Sequence, residues 1–183
     1  MSSVRAPNLG ALPYHAESHN QLQGPVERIF AHLDDHARLA AHMNKRSWRM
    51  GWSRMKLHVD QAAGRAVGSQ MRLEGRVFGV PLSLVEVVTE RMPPTRKVWA
   101  TVGTPRLLVI GPYRMGFTLV SAGNEVRGGS SDEVTVSVFI DYALPDRGLS
   151  WLLGRIFGHK YARWCTVRMV TDAHAAFAPA TAI

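Results

Sequence analysis

The sequence predicts an α+β domain in which a meander of antiparallel strands wraps one long C-terminal helix, with two short helices after the first strand. Three observations predict it. Between Lys56 and Tyr142, apolar residues recur with period 2 in segments separated by turn residues, as half-buried strands require. After Pro145 the period changes to 3.6 and holds to about Phe177. The chain is 183 residues long, which suits one domain able to bury its own core.

Each element follows from local chemistry. Met1 to Pro13 contains Pro7, Gly10 and Pro13 and no apolar signal region, so residues 1–12 read as a disordered lead-in. Tyr14 to Gln23 reads as a strand, stopped by Gly24-Pro25. Val26, Ile29, Phe30 and Leu33 then recur at helical spacing, with Pro25 in the first turn where its missing N–H costs nothing. Asp34 and Asp35 are suited to cap a second helix through Met43, whose Leu39 and Met43 share a face. Strands are expected at Lys56–Asp60, Val67–Phe78, Leu82–Glu90, Lys97–Val102, Tyr113–Val120 and Val134–Tyr142, with turns at Ala63-Gly64, Pro93-Pro94, Gly123-Asn124 and Gly128-Gly129. Alternation is clearest in the last two. Val134, Val136, Val138, Ile140 and Tyr142 share a face, as do Tyr113, Met115, Phe117 and Leu119. The final helix spans roughly 30 residues, or about 45 Å. Residues 13–178 form the expected domain and 179–183 a frayed tail.

Composition narrows the function. A single cysteine, Cys165, excludes an intramolecular disulfide framework and a thiolate zinc site. The 22 Lys and Arg against 14 Asp and Glu leave a formal charge of +8, which favours an anionic partner without naming it. The longest purely apolar stretch, Leu107 to Ile110, is far short of the ~20 residues of a membrane span, and the chain reads as soluble and cytoplasmic.

The order of elements, together with the local run Gln23-Gly24-Pro25-Val26-Glu27-Arg28-Ile29-Phe30, resembles the START-like superfamily, the helix-grip proteins that include polyketide cyclases/dehydrases and lipid carriers (SRPBCC type). The resemblance covers about Tyr14 to Phe177. It implies a curved sheet gripping the C-terminal helix, with an apolar cavity between them for a hydrophobic small molecule. It assigns no catalytic residue, because members of the superfamily share none.

A helical wheel places Leu149, Leu152, Leu153, Ile156, Phe157, Trp164, Val167 and Val170 on one stripe of the final helix, expected to meet the sheet. Lys160 lies near the middle of it. Its ammonium either snorkels out at the helix flank or points into a polar part of the cavity. On the sheet, Glu86 shares a side with Leu82, Leu84 and Val88; if that side faces inward, the carboxyl must be paired or protonated, and if Val85 and Val87 face inward it is solvated. The candidate ligand-binding residues are Lys160, Glu86, Phe157, Trp164, Tyr142, Met115, Phe117 and Trp52.

From Arg38 to Lys56 the chain is basic, with Lys45, Arg46, Arg49 and Arg54, free of acids, and it carries Trp48 and Trp52 among Met43, Met50 and Met55. Such a run suits a membrane-facing lip at the cavity mouth, single-stranded nucleic acid, or a connector whose tryptophans fill the core; its position in the resembling fold favours the lip. Leu107 to Ile110, between Pro105 and Pro112, reads as a strand or a second loop at that mouth.

No phosphate loop, dinucleotide fingerprint or nucleophile elbow occurs. His32 and His36 share a helical face and His15 and His19 a strand face, but neither pair finds a clear third metal ligand, so neither a metal nor a cofactor is expected. Cys165 reads as a structural thiol. Tyr113, Tyr142, Tyr161 and Thr171 are candidates for hydroxyls in a cavity.

The leading expectation is a module that binds a hydrophobic or amphipathic ligand (lipid, quinone or polyketide in type) as carrier or sensor. The alternative is a cyclase/dehydratase-type enzyme in the same cavity, with Glu86, His58 and Tyr142 as acid/base candidates. A further alternative is a nucleic-acid or membrane-surface adaptor acting through residues 38–56.

Overall fold

The structure is a computed structural model that describes residues 9–39, 54–77, 79–122 and 133–178. Its elements are β1 (Tyr14–Gln23), α1 (Val26–Asp34), α2 (His36–Leu39), β2 (Arg54–Val59), β3 (Gln70–Val77), β4 (Val80–Met92), β5 (Arg96–Arg106), β6 (Tyr113–Ser121), β7 (Glu133–Tyr142) and α3 (Gly148–Phe177). The seven strands form one antiparallel sheet in the order β1-β7-β6-β5-β4-β3-β2. β2 to β7 are the expected meander. The first strand closes the other side by pairing with the last, from Tyr14 opposite Tyr142 to Gln23 opposite Glu133. Leu107 to Ile110 lies outside the strands, with Ile110 buried in the core and Leu107 packed against it.

The inner face carries the apolar sets read from the alternation. Val134, Val136, Val138, Ile140 and Tyr142 of β7 are buried, and so are Tyr113, Met115, Phe117 and Leu119 of β6. α1 lays Ile29, Phe30 and Leu33 on this face, with the Phe30 ring edge-on to Phe117 at 5.6 Å. At its C-terminus Asp34 is buried against two cations. Lys97 of β5, fully buried, donates from Nζ to the Asp34 carboxylate (2.8 Å) and backbone carbonyl (2.9 Å), and Arg91 of β4 donates from Nη2 at 2.8 Å. This buried cluster ties α1 to two strands. Removing the carboxylate would leave Lys97 charged and unpaired, a loss on the order of 3–5 kcal/mol.

α3 packs along β1 and β7. The Ser18 and Thr166 hydroxyls meet at 2.9 Å, and His174 Nδ1 lies 3.1 Å from the Gln21 carbonyl. The face it buries differs from the expected stripe. Buried are Gly154, Gly158, Ala162, Cys165, Thr166, Met169, Val170 and Ala173. Of the stripe only Val170 is buried and Leu153 half-buried, while Leu149, Leu152, Ile156, Phe157, Trp164 and Val167 are exposed. The reason is distance. A Cβ at Gly158 would sit 2.9 Å from the Val109 carbonyl oxygen, and one at Gly154 2.8 Å from the Pro145 ring, so the helix approaches the 107–112 and 143–145 segments too closely for large side chains.

Candidate functional site

Against β3 the register of β4 is unbroken from Val80 to Val87, whereas against β5 it shifts between Ser83 and Val85; Leu82, Leu84, Glu86 and Val88 alternate onto its inner face, and Glu86 stands between Met71 of β3 and Thr101 of β5. Its carboxyl is buried, 4% exposed. Tyr113 of β6 donates its hydroxyl to Glu86 Oε1 at 2.5 Å, and the Trp99 indole of β5 also hydrogen-bonds the carboxyl. Thr101 fixes Tyr113 by accepting from its backbone N–H at 3.1 Å. From α2, His36 packs edge-on to Trp99 with ring centroids 4.8 Å apart and places Nε2 3.8 Å from Glu86 Oε2. Among the described residues, the other ring nitrogen of His36 is buried without a hydrogen-bond partner. From α3, Tyr161 and Cys165 hydrogen-bond each other, and the Glu86 charge is felt at Tyr161.

The electrostatics follow from burial. Desolvation pushes the Glu86 carboxyl up to about 7 although Tyr113, Trp99 and Lys97 all favour its charged form. Desolvation, aided by the Lys97 charge, drives His36 down to about 3. The imidazole is therefore neutral at pH 7, and its contact with Glu86 is polar rather than an ion pair. Burial pushes the Cys165 thiol up to about 12, which removes it as a nucleophile. Burial and the neighbouring Glu86 charge raise Tyr113 well above the ordinary phenol range, so it remains a hydrogen-bond donor. The result is a nearly neutral set of donors and acceptors on an apolar wall that includes Leu84, Val88, Met71 and Met115. A cleft of about 510 Å³ opens where the start of β4, the end of β5, the 107–112 loop and the first turn of α3 meet, lined by Leu82, Leu107, Leu108, Pro145 and Ser150 among others. Leu82 lies about 13 Å along β4 from Glu86 on the same face.

The expected site residues separate. Glu86 turns inward. Met115 and Phe117 belong to the buried core, opposite Trp99 and Lys97 across the β5–β6 ladder. Tyr142 is buried and stacks on Tyr14 at 5.3 Å. Lys160, Phe157 and Trp164 lie on the exposed side of α3, with Trp164 stacked on Tyr161. Trp52 lies outside the described residues, with Lys45, Arg46, Trp48 and Arg49. His58 is exposed on the edge strand β2, away from Glu86. His32 and His36 do not converge with a third ligand, and no group of three metal-ligating side chains occurs among the described residues. Sequence reasoning missed Trp99 and the Asp34–Lys97 pair. The available signal was Lys97 itself, which alternates with Trp99 and Thr101 and so shares their inward face.

No protein-family model and no curated protein sequence matches the chain. Solved structures do. The Zhui aromatase/cyclase from a Streptomyces species aligns at a TM-score of 0.64 and 12% identity over 89% of this chain and 92% of its own. A norcoclaurine synthase point mutant from Thalictrum flavum, in complex with a transition-state analogue, aligns at 0.60 and 12% over 90% and 93%. A protein from Chromobacterium violaceum aligns at 0.57 and 18% over 91% and 99%. At these identities the likeness is one of fold.

Proposed function

We propose that this chain, which has the helix-grip fold of the START-like superfamily, binds a hydrophobic or amphipathic small molecule between the sheet and α3, as a carrier or sensor of lipid-, quinone- or polyketide-like compounds. The observation that carries this reading is the buried Glu86 carboxyl. Placing it on the inner face costs desolvation that a leucine there would avoid, and buried ionisable groups of this kind cluster at functional sites. In its neutral form it accepts from Tyr113 and keeps one O–H to donate. The ligand group it suits is an uncharged oxygen, a ketone or phenol, at one end of an apolar body; the nearby Lys97 is already occupied by Asp34.

A second reading, a cyclase/dehydratase-type enzyme in the same place, is favoured by one specific feature: a carboxyl poised near pH 7 beside a neutral imidazole is suited to general acid/base work. Two structural neighbours are named as enzymes, an aromatase/cyclase and a synthase.

Native mass spectrometry of the purified protein, with solvent extraction of what it carries, tests the binding reading. The expected result is a co-purified apolar compound that is lost from Glu86→Leu and kept by Lys160→Met. A protein that carries nothing and takes up no fatty acid, quinone or polyphenol sinks it. Loss of water from an added β-hydroxy ketone, abolished in Glu86→Gln, would select the enzymatic reading.

A further inference from the structure

α3 is apolar on two opposite sides. At 100° per residue, Leu149, Leu152, Ile156 and Val167 lie across the helix from Gly158, Ala162 and Met169, the side that meets the sheet and its loops. Those four are 71%, 48%, 53% and 42% exposed, and Phe157 borders them at 46%. A helix that buries one face normally turns charged and polar residues outward. Here large apolar side chains stand on the solvent side over about 27 Å, with Lys160 and Arg163 on the same face between Ile156 and Val167. Isolated exposed aliphatics need no explanation, but an aligned set interspersed with cations marks an interaction surface.

Up to Asp172 the charge on this helix has one sign. Arg155, Lys160, Arg163 and Arg168 occur with no acid between Asp146 and Asp172. Arg168 is paired with Asp172, whereas Arg155 lies over the Trp151 ring at 5.6 Å, and Arg155, Lys160 and Arg163 are exposed. We infer that the outer face of α3 docks this protein onto an anionic lipid bilayer, with Leu149, Leu152, Ile156 and Val167 at the acyl boundary and Arg155, Lys160 and Arg163 among the phosphates. Aliphatic side chains with long cationic ones among them, whose heads snorkel to the phosphates, are what an in-plane interfacial helix needs. Nucleic acid offers the aliphatics no partner. A second copy related by a two-fold axis would set Lys160, central in the stripe, against its own equivalent.

The test is co-sedimentation of the full chain with vesicles of equal parts phosphatidylcholine and phosphatidylserine, against vesicles of phosphatidylcholine alone. Binding is expected only to the anionic vesicles and is expected to weaken as salt rises. Lys160→Glu with Arg163→Glu should lower the affinity by at least about fivefold per site changed. Leu152→Asp with Ile156→Asp should abolish binding while leaving the circular dichroism spectrum and thermal midpoint unchanged, because both positions are exposed. Absence of binding by the parent chain overturns the inference. So does binding that the Leu152/Ile156 variant retains, or a parent chain that runs as a dimer and becomes a monomer in that variant.

Discussion

Glu86 and Asp34 are both buried carboxyls, and their partners set them apart. Burial raises Asp34 too, but the hydrogen bonds from Arg91 and Lys97 outweigh it and hold the group below the usual carboxylate range. Glu86 is held among the described residues by the neutral donors Tyr113 and Trp99 and ends near 7 from an ordinary 4.5. The folded protein therefore keeps a proton that the unfolded chain has already released between these values. The corresponding stability is complete below about pH 4.5 and is lost as pH rises through about 7. Glu86→Gln, uncharged and of similar shape, should thus gain on the parent chain as pH rises, reaching about 3 kcal/mol near pH 9, read from thermal or urea unfolding at several pH values. A parent-to-variant difference that does not change with pH would mean that Glu86 is ionised in the fold. The sequence already posed this residue as a choice between paired, protonated and solvated. It held no way to choose, because the answer depends on Trp99, Tyr113 and His36, which lie far apart along the chain.

Among the elements, α3 departs furthest from its sequence pattern. Its extent was legible from the change of period after Pro145, but its buried face was not. A wheel ranks faces by hydrophobicity, and the largest apolar side chains won that ranking. The structure ranks faces by how closely they can approach, and Gly154 and Gly158 admit the Val109 carbonyl and the Leu144 and Pro145 side chains where a leucine could not. The same close approach predicts that Gly158→Ala destabilises the protein by roughly 1–3 kcal/mol, despite a gain of up to about 1 kcal/mol in helix propensity. Val109 contributes a backbone oxygen that cannot move cheaply. Ile156→Ala, on the exposed side, should stay within about 0.5 kcal/mol of the parent chain. Urea titrations of the two variants compare them directly, and a stabilised Gly158→Ala would mean that the helix stands further from the 107–112 segment.

At the scale of the whole molecule, the sheet has a covered end and an open one. β1 is roofed by α3 and paired to β7, whereas β2 is the opposite edge and pairs only with β3 among the described residues. Amides of β7, held between β1 and β6, should exchange with solvent at rates set by global unfolding, and those of β2 orders of magnitude faster, in a residue-resolved hydrogen-exchange experiment. Equal protection in the two strands would require β2 to be covered. The strands from Val134 to Tyr142 and from Tyr113 to Val120, the helix after Gly24-Pro25 and the final helix were all determined by the sequence alone, because periodicity and turn chemistry act over a few residues and each segment carries its own record of them. The tertiary structure alone decided that β1 would close on β7, that α3 would turn its small residues inward and its large ones out, and that Glu86 would meet Tyr113, Trp99 and His36. Those outcomes rest on contacts between residues up to 153 positions apart (Gln21 and His174), on the volume left between packed elements and on the cost of burying charge, none of which is written in any local stretch of the chain.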